Sequence, residues 1–218
     1  MNVHGYGQHI QTHIKDRKSD EPITTTAVAE NLAAAFGIDI ISARKITNVN
    51  LKRLAEKGIL VRLRKGVYGK IKETPFGRLA PSKEEVISEL LLRDGESAIG
   101  YISGPTLLNA LGFCSWMTRE RHIVTNKYRS RIPEGVPIQT HRPVVEVTDD
   151  NMPYLQTLEV LAAMEKYPVD AEKPIEILRG MIQGNKLSNE KLILYAKKHF
   201  KQDILIKTID VTLGGIEL

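Results

Sequence analysis

Residues 41–72 most strongly constrain the fold, because a helical pattern and a hairpin pattern follow each other within one strongly basic stretch. This basic segment has ten Lys/Arg and one acidic residue, Glu56, whereas the rest of the 218-residue chain has 21 basic and 25 acidic residues. The net charge of +5 therefore comes from one local patch. A dense cationic patch of this kind is typical of a phosphate-binding surface.

The first half of the basic segment has the periodicity of an amphipathic helix. At about 100° per residue, apolar side chains fall on one face: Ala43, Ile46, Val49 and Leu54, with Leu51 at the margin. Ser42 is the predicted N-cap, and Gly58 is predicted to end the helix. In the major groove of DNA asparagine suits adenine and arginine suits guanine. The opposite face carries cationic and amide side chains, and we predict that these contact DNA: Arg44, Lys45, Asn48 and Lys52. Ser42, at the start of the helix, is also predicted to contact DNA.

The second half predicts a β-hairpin. Ile59, Val61 and Leu63 alternate with Leu60, Arg62 and Arg64, as expected for a strand. Lys65 and Gly66 form the predicted turn, and residues 67–71 form the return strand. A short basic hairpin directly after a helix is typical of the wing of a winged helix. We expect its cations to contact DNA phosphates: Arg62, Arg64 and Lys65.

A second predicted helix precedes this segment. Residues 23–26 begin it, residues 27–36 form it, and Gly37 ends it, with Val28, Leu32 and Phe36 as its packing stripe. A leading helix is predicted before it, ending near Arg17. The order helix, turn, helix, hairpin is that of a winged helix-turn-helix.

The whole pattern predicts an α+β protein with two domains. Residues 1–78 form the predicted winged helix-turn-helix DNA-binding domain, and residues 79–218 a mixed α/β domain that ends in helices. In the second region, strands are predicted at residues 98–102, 121–125, 136–141 and 144–147. Helices are predicted at residues 82–93, 104–111, 174–183 and 188–200, and a further helix is predicted to begin at Met152. The tail, residues 203–213, fits either a strand or a terminal helix.

Composition excludes several classes of protein. No run of about 18 apolar residues predicts a transmembrane helix, and the polar first 16 residues do not resemble a signal peptide. The single cysteine, Cys114, rules out an internal disulfide and suits a reducing compartment. We therefore expect a cytoplasmic protein with no membrane partner.

No catalytic motif, metal site or cofactor is predicted. His9 and His13 share one helix face, but no carboxylate or cysteine stands at a metal-binding spacing. Ser103 lacks the glycine two residues earlier that a nucleophile elbow requires, and is better interpreted as a helix N-cap.

A nuclease site could be built from charged residues of the second region, although their spacing does not require it: Asp94, Glu96, Lys127 and Arg129. Whether Lys127, Arg129 and Arg131 extend the DNA-binding surface is left open.

Two segments resemble the AbiEi-type antitoxin family. Residues 58–70, GILVRLRKGVYGK, resemble the wing of that family, through Gly58, Leu60, Arg62, Lys65, Gly66, Val67 and Tyr68. Residues 98–132 resemble the start of the family's second domain, through residues 109–113 (NALGF) and 124–126 (VTN). The helix at 157–166 also corresponds to one in the family. The resemblance spans about residues 23–184.

The resemblance implies the DNA-binding antitoxin of a type IV toxin–antitoxin, or abortive infection, pair. In such antitoxins the winged helix binds double-stranded promoter DNA and represses the operon. The C-terminal domain is needed to counteract a nucleotidyltransferase-like toxin, without a stable complex. The family implies no catalytic residues, so no enzymatic activity is expected. A different class stays open, namely a DNA-targeted nuclease or modification enzyme in which the winged helix is the targeting domain.

Overall fold

The protein is mixed α+β in a computed structural model that describes residues 3–17 and 21–213. The chain divides into two compact units, Met1–Leu90 and Leu91–Leu218, and the division falls within a helix. No helix in the described ranges combines the length and the apolar character needed to cross a lipid bilayer. We describe the two units separately.

The first unit begins with three helices and a three-stranded sheet. Its elements are α1 (Val3–Lys15), β1 (Ile23–Thr24), α2 (Thr25–Phe36), α3 (Ile40–Glu56), β2 (Leu60–Arg64) and β3 (Val67–Lys70). The strand order is β1-β3-β2, and both pairings are antiparallel. The short strand β1 was not predicted from the sequence, because two residues are too few to show an alternating pattern.

Local signals explain where α2 begins and ends. The Thr24 hydroxyl accepts a hydrogen bond from the Ala27 amide at 3.2 Å, and this caps the free N–H groups of the first turn. Gly37 ends the helix in the left-handed conformation, with φ of 62°, which glycine adopts without steric strain. Residues 37–39 form the turn to α3.

The core of the first unit lies between the three helices and the sheet. Fully or almost fully buried apolar side chains come from every one of these elements: Ile10, Ile14, Ile23, Val28, Leu32, Leu51, Leu54, Leu60 and Tyr68. Phe36, predicted to complete the α2 stripe, remains 41% exposed and packs edge-on against Tyr6, with ring centroids 4.8 Å apart.

Strand β2 does not alternate as the sequence predicted. The register of the hairpin shifts between Arg62 and Arg64, which indicates a β-bulge, and Leu60 and Leu63 are both buried. Leu60 packs with the helices, whereas Leu63 packs with Val67 and Val86. Ile59, predicted to share a face with Leu63, is 43% exposed.

A second small hairpin and a helix complete the first unit. They are β4 (Lys72–Thr74), β5 (Gly77–Leu79) and α4 (Lys83–Leu92), the last of which continues past the division between the units. The hairpin turn presents Phe76, whose side chain is fully exposed.

The second unit contains a three-stranded sheet and five helices among its described residues. Its elements are β6 (Arg93–Asp94), β7 (Ser97–Ala98), β8 (Gly100–Ser103), α5 (Gly104–Ala110), β9 (Arg121–Thr125), β10 (Ile138–His141), α6 (Met152–Met164), α7 (Pro174–Gly184), α8 (Asn189–His199) and α9 (Gln202–Leu213). The sheet order is β10-β9-β8, with β10 parallel and β8 antiparallel to β9. The helices pack around a core that includes Leu108, Phe113, Leu158 and Leu161.

Two predictions for the second unit are decided by tertiary contacts. The tail forms helix α9, because Ile204, Thr208 and Val211 recur at helical spacing and are all buried. Residues 144–147 form no strand, so that prediction is wrong. The Asn126 side chain donates to the Val147 carbonyl and accepts from the Val147 amide, both at 2.9 Å. An amide side chain therefore replaces the neighbouring strand as the hydrogen-bond partner.

Candidate nucleic-acid interface

Helix α3 has one buried face and one exposed, basic face. The buried face is formed by Ala43, Thr47, Leu51 and Leu54. The exposed side carries all four predicted DNA-contacting side chains of this helix, which we call the basic face: Arg44, Lys45, Asn48 and Lys52. The structure thus exposes these residues together on the side of α3 away from the core.

The predicted apolar stripe of α3 was partly wrong. Val49, placed in the core from its spacing, is 49% exposed, whereas Leu51, placed at the margin, is fully buried. The polar residue Thr47 lies at the centre of the buried face, so a pattern based on apolar residues alone placed that face incorrectly. Its hydroxyl has no hydrogen-bond partner among the described residues.

The helix begins three residues earlier than the predicted Ser42 N-cap implies. The N-cap is Asp39, whose carboxylate accepts a hydrogen bond from the Ser42 amide at 2.9 Å. Hydrogen bonds from Ser42 hold the pKa of Asp39 below its ordinary value. Ser42 is therefore a residue of the first turn, partly buried, and its predicted role in DNA contact is not supported by an exposed position.

Most cations of the basic face are available for an external anion. Lys52 lies 3.8 Å from Glu56 one turn later, and both side chains are largely exposed, so this ion pair contributes little to stability. Arg44 and Lys45 have no carboxylate partner among the described residues. A phosphate or a base edge would meet no competing internal ion pair at these two side chains.

The β2–β3 hairpin presents two further exposed cations. Arg62 and Lys65 are exposed, and Lys65 stands in the turn beside Gly66, whose φ of 75° the tight turn requires. Arg64 is half-buried and already interacts within the protein. The three predicted wing cations are thus brought to one hairpin, but they differ in exposure.

One cation of the basic segment has a structural role. Lys70 donates hydrogen bonds to the carbonyl oxygens of Lys15 and Arg17, at 2.6 and 2.9 Å, at the end of α1. A positive charge is favourable there because it lies close to the unpaired carbonyl groups of the helix C-terminus. Counting charges along the sequence did not distinguish Lys70 from the cations that face solvent.

Arg78 was missed by the sequence interpretation because it lies outside the basic segment. It belongs to β5, and its guanidinium donates to the Gly58 carbonyl at 2.5 Å, just after α3. It also lies 4.0 Å from Glu73 across the small hairpin. No local sequence signal marks this contact, because it joins residues 20 positions apart.

The net positive charge belongs to the first unit. Residues 1–90 contain 15 Lys/Arg and 10 Asp/Glu, whereas residues 91–218 contain 16 of each. The electrostatic attraction for a polyanion is therefore expected from the first unit.

The alternative charged cluster of the second unit is engaged internally. Lys127 forms an ion pair with Asp94 at 3.3 Å. Arg129 stacks over the Tyr128 ring at 5.4 Å from its centroid, and Arg131 also has a partner within the protein. Lys127 and Arg129 therefore already contact other residues of the second unit.

Four histidines form side-chain hydrogen bonds: His9, His13, His122 and His141. His9 bonds to the Asn31 side chain at 2.9 Å, and Arg17 donates to His13 at 3.2 Å. His122 and His141 contact each other at 3.3 Å on adjacent strands. Among the described residues no group of three or more potential ligands could hold a metal ion.

Ser103 occupies the N-cap position of α5, but its side chain makes no capping hydrogen bond.

A family of unknown function, DUF6088, matches residues 31–125. The match includes α3, both hairpins of the first unit, and strands β8 and β9 of the second. No curated protein matches the chain.

Proposed function

We propose that the protein is a sequence-specific regulator that binds double-stranded DNA through its first unit. In this proposal the unit is a winged helix-turn-helix, with α3 in the major groove and the β2–β3 hairpin against the phosphate backbone. The observation that carries the proposal is the basic face of α3, because its side chains are exposed, lie on one side and are followed directly by a basic hairpin.

The element order supports this assignment. Helix α2, a three-residue turn and helix α3 pack closely, and this arrangement is the one that places the second helix of a helix-turn-helix in the major groove. Asn48 and Arg44 supply the donors and acceptors that distinguish base pairs there. Arg62 and Lys65 supply charge without base specificity, as phosphate contacts do.

The antitoxin role is the finer part of the proposal, and it rests on the resemblance of residues 58–70 and 98–132 to the AbiEi-type family. We propose that the protein represses its own operon in the cytoplasm and counteracts a nucleotidyltransferase-like toxin, without catalysis and without a stable complex. The second unit, with its own core, is the part assigned to that second task.

DNA binding is tested with the purified full-length chain. Duplexes are selected from a random library, and binding to the selected duplex, to the DNA upstream of the gene and to an unrelated duplex is measured at about 50 and 200 mM salt. We expect the selected duplex to bind at least about a thousandfold more tightly than the unrelated one. Equal affinity for all duplexes would contradict the proposal.

The antitoxin role is tested separately, by expression in growing cells. An adjacent open reading frame with a nucleotidyltransferase-like sequence is induced alone and together with this protein, and growth is recorded. We expect co-expression to restore growth. An R44A/N48A variant provides the matched control, because it separates DNA binding from neutralisation. Continued growth arrest with the wild-type protein present would refute the antitoxin role while leaving DNA binding intact.

A further inference from the structure

Two aliphatic side chains are exposed on the same side of α3 as the basic face. Ile41 is 66% exposed and Val49 is 49% exposed. At about 100° per residue, Ile41 lies roughly 20° from Asn48 around the helix axis, and Val49 roughly 100° from it. Both therefore border the asparagine and the lysines of the basic face, away from the buried Ala43 and Leu54.

Single exposed aliphatic residues are common and usually need no explanation. These two differ because they lie among the polar side chains proposed to contact base edges, in the half of a recognition helix that usually enters the groove. The major groove offers one strongly apolar feature, the C5-methyl group of thymine. Asn48 suits adenine, so an A·T pair would present a partner for the amide and one for an aliphatic side chain.

We propose that Ile41 and Val49 are specificity determinants that pack against thymine methyl groups in the major groove. The inference rests on the proposed DNA-binding function, and it specifies which base the site recognises. The bound sequence contains thymines at positions that are recognised by an apolar contact instead of a hydrogen bond. Lys45 and Lys52, on the same face, contribute attraction without this selectivity.

The contact with a thymine methyl group should contribute a measurable amount to the binding free energy. Deoxyuridine differs from thymidine only by lacking the C5-methyl group, and it pairs with adenine in the same way. Removing one well-packed methyl group should weaken binding about fourfold, the value of one buried CH₂-sized group. The same loss is expected when Val49→Ala withdraws the protein side of the contact.

The experiment uses the full-length protein and the duplex selected from the random library. Each thymidine is replaced singly by deoxyuridine, and the affinities of wild type, I41A and V49A are measured for every duplex. The matched controls are V144A and I206A, because Val144 and Ile206 are each 51% exposed in the second unit. Alanine is a strong helix former, so I41A and V49A should fold; circular dichroism checks this.

The expected result is a coupled loss. At one or more thymidines, deoxyuridine weakens wild-type binding about fourfold, and the effect disappears in V49A or I41A but persists in V144A and I206A. If every deoxyuridine substitution is without effect, or if its effect is unchanged in both α3 variants, the proposal is overturned although DNA binding stands. Wild-type protein that selects no sequence refutes the proposed function itself. If I41A and V49A bind DNA normally but change the sedimentation coefficient, the patch contacts a second copy of the chain, and the proposal fails.

Discussion

The ammonium group of Lys70 lies 2.6 Å from the carbonyl oxygen of Lys15, where the leading helix ends. Lys70 comes from β3, so this hydrogen bond joins the sheet to α1 across 55 positions of the chain. Lys70 therefore has a structural role, unlike the cations of the basic segment that are proposed to contact DNA.

Lys70→Met should destabilise the protein without changing how its DNA affinity depends on salt. The variant keeps the aliphatic stem and removes two hydrogen bonds to the end of α1, so we expect a loss of about 1 kcal/mol in the free energy of unfolding. Urea denaturation measures the stability, and titrations at several salt concentrations measure the slope. A slope lowered by a full unit would place Lys70 on a phosphate instead.

The hairpin cations should control the salt dependence of DNA binding. Each phosphate contact that is lost lowers the slope of log K against log salt by about one unit. Replacing Arg62, Arg64 and Lys65 together by alanine should therefore weaken binding to every duplex and flatten the slope by two to three units, about two if the half-buried Arg64 makes no phosphate contact. Lys70→Met is the matched control. Weakened binding to a single sequence would show base contacts instead.

Arg44 and Asn48 should determine sequence preference. Replacing either with alanine should cost about 1–3 kcal/mol at the selected duplex and relax specificity at one position. Arg119→Ala removes the same charge from an exposed site in the second unit and serves as the control. Gel-shift titrations against the selected duplex and its single-base variants give the result. Unchanged affinity in both α3 variants would exclude this helix as the recognition helix.

The stability of the second unit should fall as the pH falls below neutrality. Burial lowers the pKa of His122 and of His141, and the neighbouring His122 and Lys166 lower that of His141 further. The unfolded chain therefore binds protons first, near its ordinary pKa of 6.5, and the folded protein loses stability as the pH falls through that value. At most one of the two imidazoles can be charged while their 3.3 Å hydrogen bond is kept, because a protonated imidazole has no acceptor nitrogen.

His141→Gln tests this dependence. Thermal unfolding of the full-length protein between about pH 7.5 and pH 5 should show a smaller decrease in melting temperature for the variant than for wild type. Parallel curves for the two proteins would show that this pair does not account for the pH dependence.

Gly100 should tolerate no side chain. It lies in β8, and a Cβ atom there would be 2.4 Å from the Leu91 carbonyl oxygen and 2.6 Å from that of Val124. Because both are backbone atoms, they cannot move aside locally, and Gly100→Ala should destabilise by about 1–3 kcal/mol. Gly180→Ala in α7 is the opposite control: nothing lies near its Cβ position, so we expect a gain of about 0.5–1 kcal/mol. Chemical denaturation of both variants gives the comparison.

The sequence by itself determined the α+β class, the order of the helices in the first unit and the hairpin turn at Lys65 and Gly66. These follow from short-range physics: helical periodicity, the left-handed conformation at Gly37, and the turn preference of glycine. The exposure of Arg44 and Asn48 was also predicted, because charged and amide side chains at helical spacing define a polar face whichever residues form the core.

Only the tertiary structure decided which side of α3 is buried, how the strands bulge and which cations are already used. Thr47 is buried although it is polar, Val49 is exposed although it is apolar, and Asp39 caps a helix for which Ser42 was the predicted cap. Lys70 and Asn126 satisfy backbone groups far away in the chain. Burial and long-range hydrogen bonding depend on which residues pack against a side chain. A periodic pattern along one segment carries no information about the distant segment that packs against it.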